Sequence, residues 1–133
     1  MAVRSIDHVA IPIVNIDAMR SFYEAFGFDW DSSSAPHLYA VILGNQKLNF
    51  HAPSLWQNPK FALRGPTAKP GCGDFCFVWA SDQHTLHKTI KQLDLEVIEG
   101  PVERLGGAGN GISVYVRDPD KNLVEFICYG TNS

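Results

Sequence analysis

The chain has 133 residues, 45% of them apolar and 19% charged, with a net charge of −3. That length supports one core and leaves little for a second. The mild acidity argues against nucleic acid, which demands a basic face. The lack of a polybasic run or a long uncharged apolar stretch argues against a membrane surface and a transmembrane helix.

The opening Met1-Ala2-Val3-Arg4-Ser5-Ile6-Asp7 lacks the apolar core of a signal peptide, so a cytoplasmic location is expected. Cys72, Cys76 and Cys128 agree with it. Their odd number makes a poor disulfide framework, and their spacing matches neither a redox pair nor a zinc site. Ordinary thiols are expected at all three.

In chain order, Val3 to Val14 is apolar and β-branched and reads as a strand, with Pro12 near its end. Asn15-Ile16-Asp17 begins a helix. Met19, Phe22, Tyr23 and Phe26 form its apolar stripe, and Gly27 closes it. Phe28 to Trp30 is extended, Asp31 to Pro36 is a turn, and Leu38 to Leu43 is a strand. Gly44-Asn45 turns the chain into a return strand, Lys47 to His51. Pro53 to Gly73 has no period and reads as a long connection with one short helical turn.

Asp74 to Trp79 starts a second series. Asp82 is a candidate N-cap, and Leu86, Ile90 and Leu93 mark a second amphipathic helix. Leu95 to Ile98 is extended, Gly100-Pro101 is a turn, and Gly106 to Gly111 reads as a mobile loop at a cavity mouth. Gly111 to Val116 is a strand, Asp118 to Asn122 a tight turn, and Leu123 to Tyr129 the last strand.

The two halves therefore run in the same order. With one gap, Met19 lies over Leu86, Tyr23 over Ile90 and Phe26 over Leu93. His8 then lies over Asp74, and Asn49 over Glu125. These four polar side chains sit within apolar strands and are expected to converge on one cavity. A buried carboxylate there needs a partner.

Ile6-Asp7-His8-Val9-Ala10-Ile11, with Met19-Arg20-Ser21-Phe22-Tyr23-Glu24-Ala25-Phe26-Gly27-Phe28, resembles the opening of vicinal oxygen chelate proteins. That superfamily comprises glyoxalase I, bleomycin-resistance proteins and extradiol dioxygenases. Arg117-Asp118-Pro119-Asp120-Lys121-Asn122-Leu123-Val124-Glu125-Phe126 is similar to its closing D-P-D-G-N-x-x-E segment. Gln46-Lys47-Leu48-Asn49-Phe50-His51 and Glu99 to Arg104 resemble the glyoxalase-like, virulence-associated branch.

The resemblance implies an α+β fold, two βαβββ modules forming a curved mixed sheet around a cavity. It implies a single domain over 1–133, with modules of about 3–52 and 73–130 joined by 53–72. It also implies a divalent ion held by His8, Glu125 and Asp74, with Zn, Ni, Mn, Fe and Co not distinguished. Glu125 or His51 would move a proton. Asn49, Arg104 and Trp56 would meet a small oxygenated substrate. The chain departs from the glyoxalase I ligand set, which has Glu where Asn49 stands and His where Asp74 stands.

Lyase- or isomerase-type chemistry is the first reading. The alternatives are a metal-free sequestering protein of the bleomycin-resistance type, or a dioxygenase, whose iron site needs two imidazoles. A homodimer is expected, with no nucleic-acid or membrane partner. For Trp56 and Phe61, packing over the core stays open beside a role in the cavity. A surface ion pair stays open for Arg104 and Arg117. His37, His84 and His87 are expected at the surface, and Trp79 in the core.

Overall fold

The computed structural model describes residues 2–130 and divides the chain into two compact units, Met1–Cys72 and Gly73–Ser133. The first holds β1 (His8–Pro12), α1 (Ile16–Ala25), β2 (Asp29–Asp31), β3 (Leu38–Leu43), β4 (Gln46–His51) and a four-residue α2 (Pro53–Trp56). The second holds β5 (Asp74–Val78), α3 (Gln83–Gln92), β6 (Glu99–Gly106), β7 (Gly109–Arg117) and β8 (Leu123–Cys128). The sheet orders are β1-β4-β3-β2 and β5-β8-β7-β6, so the two βαβββ units share one topology.

In each unit the first strand runs parallel to the last, and the other pairings are antiparallel. Strand alternation then assigns the faces. Val9, Ile11, Leu48, Phe50 and Val41 point to one side of the first sheet. Met19, Phe22, Tyr23 and Phe26 of the helix segment are all buried. Tyr23 meets Phe50 at 5.5 Å between ring centroids, and Trp30 meets Phe50 at the same distance. In the second unit Val114, Val116, Val124 and Phe126 are buried with Leu86 and Ile90 of α3. Trp79, half-buried rather than in the core, links helix to sheet. Its ring meets Phe126 at 5.8 Å, and its indole N–H donates to Thr85 Oγ1.

The helix boundaries follow local chemistry. Asp82 caps α3 by accepting from the Thr85 N–H at 2.8 Å. Asn15 occupies the N-cap of α1, where its side chain makes no capping hydrogen bond. Gly27 follows α1 at φ +91°, the left-handed conformation glycine adopts without strain.

Three expectations are corrected. The first strand is shorter than Val3–Val14 and begins at His8. Leu95–Ile98 forms no strand, although the Ile98 N–H bonds to Tyr115 O, and β6 starts at Glu99. Gly106–Gly111 is not a loop: Gly106 ends β6, Gly107-Ala108 makes a tight hairpin turn, and Gly109 begins β7. Two of its glycines answer to packing: a Cβ on Gly106 would run into the Tyr129 hydroxyl, and one on Gly111 into Ile127 and the Cys128 carbonyl.

The turn before β8 is closed by a network of side-chain hydrogen bonds. Asp118 Oδ1 accepts from the N–H groups of Asp120 and Asn122, each at 3.0 Å. Asn122 Nδ2 donates to Asp118 Oδ2 at 2.8 Å, and Asn122 Oδ1 accepts from Gly73 N–H at 2.8 Å. Asn122 is fully buried. Asn122→Ala would remove the acceptor of the Gly73 N–H and the amide donor to Asp118 Oδ2. Urea unfolding is expected to show a loss of about 2–3 kcal/mol. A loss below about 0.5 kcal/mol would mean that this network does not hold β5 to β8.

Candidate functional site

The parallel ladders decide which predicted residues share a face. In the first unit His8 pairs with Lys47, Ala10 with Asn49 and Pro12 with His51. In the second unit Asp74 pairs with Leu123, Cys76 with Glu125 and Val78 with Ile127. His8 and Asp74 therefore occupy matching positions, as do Asn49 and Glu125. Within each unit the two expected site residues lie on one face, the face opposite the aromatic core.

His8 has a side chain 47% accessible, and its Nδ1 lies 2.7 Å from Asp7 Oδ1. A carboxylate only accepts, so Nδ1 carries the proton. In the neutral ring Nε2 is then the nitrogen with a free lone pair. Asn49 is 8% exposed, and its Oδ1 is buried with no donor among the described residues. An amide acceptor in that state is ready for a ligand's O–H or N–H group.

His51, half-buried, packs edge-on against Phe61 with ring centroids 5.3 Å apart. Lost solvation, and then the positive charge of Arg64, hold its pKa below the usual imidazole value. The Trp56 N–H donates to Ile13 O at 2.9 Å, which fixes the indole against the strand end.

The second unit carries a connected polar row across β8, β7 and β6. Ser113, fully buried, donates its hydroxyl to Glu125 Oε2 at 2.6 Å. Tyr115 stands opposite Glu125 in the ladder. Arg104 Nε donates to the Tyr115 hydroxyl at 3.2 Å, and its guanidinium lies over the Tyr115 ring at 5.7 Å. Glu99 pairs with the same guanidinium. The Tyr115 hydroxyl is pushed up, by desolvation first. Asp74 is exposed at the head of β5.

Asp7 in the first unit, and Cys76, Ser113 and Tyr115 in the second, join the candidate residues of their own units although sequence reasoning did not select them. Ser113 and Tyr115 alternate with apolar Ile112, Val114 and Val116, a period-two signal that was legible. Cys76 gave no such signal, because only the β5–β8 register sets it beside Glu125. A hollow of about 480 Å³ at Val78, Trp79, Asp82, Cys128 and Tyr129 is lined by none of the predicted site residues.

One imidazole and two carboxylates are donors that suit a divalent ion. Among the described residues, no three His, Cys, Asp or Glu side chains form a group able to hold one. No helix among them is long and apolar enough to cross a membrane.

Fold and residues together define a vicinal oxygen chelate protein. The chain matches the Glyoxalase/Bleomycin resistance protein/Dioxygenase superfamily over residues 5–126 and belongs to it. It is similar to the virulence protein STM3117 of Salmonella typhimurium, 35% identical over 130 residues, which cover 97% of this chain and 87% of the other. The crystal structure of that protein superposes with a TM-score of 0.85, covering 98% of this chain and all of that one. The glyoxalase domain-containing protein RDO1 of Mycosarcoma maydis is 33% identical, over 97% of this chain and 70% of its own. An integron cassette protein from V. cholerae matches at TM-score 0.84 and 30% identity, over 98% of both chains.

The Cys76 thiol is pushed up to about 12 by partial burial of its sulfur and then by Glu125. Cys76 is therefore held as the thiol at pH 8, so alkylation should be slow. Iodoacetamide at pH 8 is expected to modify Cys76 far more slowly than a free cysteine. Glu125→Gln should speed it several-fold by removing the neighbouring charge. An unchanged rate in that variant would place Cys76 out of reach of Glu125.

Proposed function

We propose that the chain is a small metal-dependent enzyme of lyase or isomerase type, acting on a small oxygenated substrate. His8 would hold a divalent ion through Nε2, with Glu125 and Asp74 supplying oxygen ligands. When bound, such an ion supplies Lewis-acid polarisation of a substrate carbonyl or enediolate oxygen. The observation that carries the reading is the Asp7–His8 contact. A carboxylate on the far nitrogen fixes tautomer and ring orientation, as it does for metal-ligating histidines generally.

The remaining residues fall into roles around these three. Ser113 holds one Glu125 oxygen and so orients the carboxylate. His51, kept neutral, is a proton acceptor next to Phe61. Asn49 offers an acceptor to a substrate hydroxyl. Trp56 and Arg104 are the expected substrate contacts, with Arg104 already turned toward Tyr115 and Glu99.

A second reading is favoured by Asn49. A buried amide in place of a carboxylate ligand suits hydrogen bonding to a sequestered ligand without chemistry. The dioxygenase reading has less support, since His8 is the only imidazole at the four matching positions.

The test is metal content after separate dialysis against zinc, nickel, manganese, ferrous iron and cobalt. Stoichiometric loading with one of them is expected. His8→Ala and Glu125→Gln should each weaken it at least about tenfold, and Asp7→Asn by about tenfold. His87→Ala, whose ring contacts Gln83 on α3, should change nothing. Affinity should also fall on acidification, because only neutral imidazole coordinates. No loading by any of these ions, with a ligand still bound, would leave the sequestration reading.

The protein is further proposed to work as a homodimer. β1 and β5 are edge strands, and they expose Val9 (42%) and Val78 (65%). Apolar residues on an open edge favour association. Light scattering at micromolar concentration should give twice the chain mass, and a monomer mass would refute the dimer.

A further inference from the structure

We propose that the connection after β4 builds an anion-binding subsite in the first unit, with Arg64 as its charge and a small oxyanion, carboxylate or phosphate, as its ligand. The subsite is independent of any metal at His8.

Residues 53–72 contain Lys60, Arg64 and Lys69 and no Asp or Glu, within a chain whose net charge is −3. The basic side chains of this segment therefore have no acidic neighbour in sequence. Arg64 is the one held in place. Its guanidinium donates to the carbonyl of Ala68 and lies over the Trp56 ring, 5.9 Å from the centroid. Trp56 is pinned in turn by its bond to Ile13 O. A cation fixed by a backbone carbonyl and an aromatic face has already lost much of the freedom that binding would otherwise cost.

Charge balance is the second argument. Whereas Arg20 and Arg104 have Glu24 and Glu99, no carboxylate among the described residues forms an ion pair with Arg64. Its Nε is buried without an acceptor. A half-buried guanidinium with an orphan N–H is an unfavourable state that an oxyanion corrects, since planar N–H donors match carboxylate and phosphate oxygens.

The surroundings supply the rest of a binding face. Arg64 acts on His51, whose ring lies against Phe61. Trp56, Phe61 and His51 offer apolar and ring surface beside the charge. The ligand thus expected is a small molecule with an anionic end and a carbon body, not a macromolecule.

The test follows the Trp56 indole N–H signal in ¹⁵N–¹H spectra of the purified protein. Malonate, inorganic phosphate and chloride are titrated at matched ionic strength. A saturable shift with malonate or phosphate, and none with chloride, is expected, and the anion that saturates identifies the ligand's chemistry. Arg64→Gln should weaken the response at least tenfold, with the Trp30 and Trp79 signals retained as evidence of folding. Arg64→Lys should keep part of it, and keeps the test usable if the Gln variant does not fold. His8→Ala should leave it intact. The proposal fails if no saturable shift appears, if chloride matches the other anions, or if His8→Ala abolishes a shift that Arg64→Gln retains. The last result would place the anion on a metal instead.

Discussion

In both units the first strand lies parallel to the last, His8–Pro12 beside Gln46–His51 and Asp74–Val78 beside Leu123–Cys128. Parallel neighbours cannot be joined by a tight turn, so a crossover must intervene. Here it consists of a helix and two further strands in each unit. The register of that one pairing decides which side chains share a face. A slip of one residue would move Asn49 and His51, or Glu125, to the side filled by Phe50 and Phe126. The buried aromatics thus fix the side of the sheet on which the polar residues stand.

Much of this order was legible in the sequence. The stripe from Met19 to Phe26, the cap at Asp82 and the Gly44-Asn45 turn each have a local physical cause, and each stands where the sequence predicts it. The matching of His8 with Asp74 and of Asn49 with Glu125 came from aligning the halves, and the two ladders have that same offset. What local signals misread was the region from Leu95 to Gly111. Its glycines suggested mobility. Gly106 and Gly111 are instead close-packed beneath Tyr129 and Ile127, contacts set by a strand far along the chain. The pairing of Cys76 with Glu125 and the bond from Ser113 were hidden for the same reason, since a ladder is a non-local fact.

The two matching faces treat their polar groups differently. Around Glu125 the partners are in place: Ser113 on one oxygen, Tyr115 opposite, Arg104 on Tyr115 and Glu99 on Arg104. Such a row is self-satisfied and holds its carboxylate in one orientation. The first unit has orphans instead: Nε1 of Trp30, Oδ1 of Asn49 and Nε of Arg64. Native structures leave few buried polar atoms without partners. Trp30 stands on the aromatic side of its sheet, its ring against Phe50. Asn49 Oδ1 is an acceptor and Arg64 Nε a cationic donor, so each suits a different part of a ligand.

Asn122 and Asn49 separate structural from functional polarity in a single residue type. Both are buried, and both sit in segments that resemble superfamily motifs. Asn122 uses its N–H, its amide nitrogen and its amide oxygen inside the unit, tying Asp118 and Gly73 together. Each of these atoms has a partner inside the unit, and the role of Asn122 is to hold the start of β8. Asn49 stands on an interior strand with its acceptor unused. Burying that acceptor is unfavourable for the isolated fold, and an apolar side chain in its place would remove the cost. Its presence there is best understood through what it can bind, which makes hydrogen-bond satisfaction a better guide to the site than burial or motif alone.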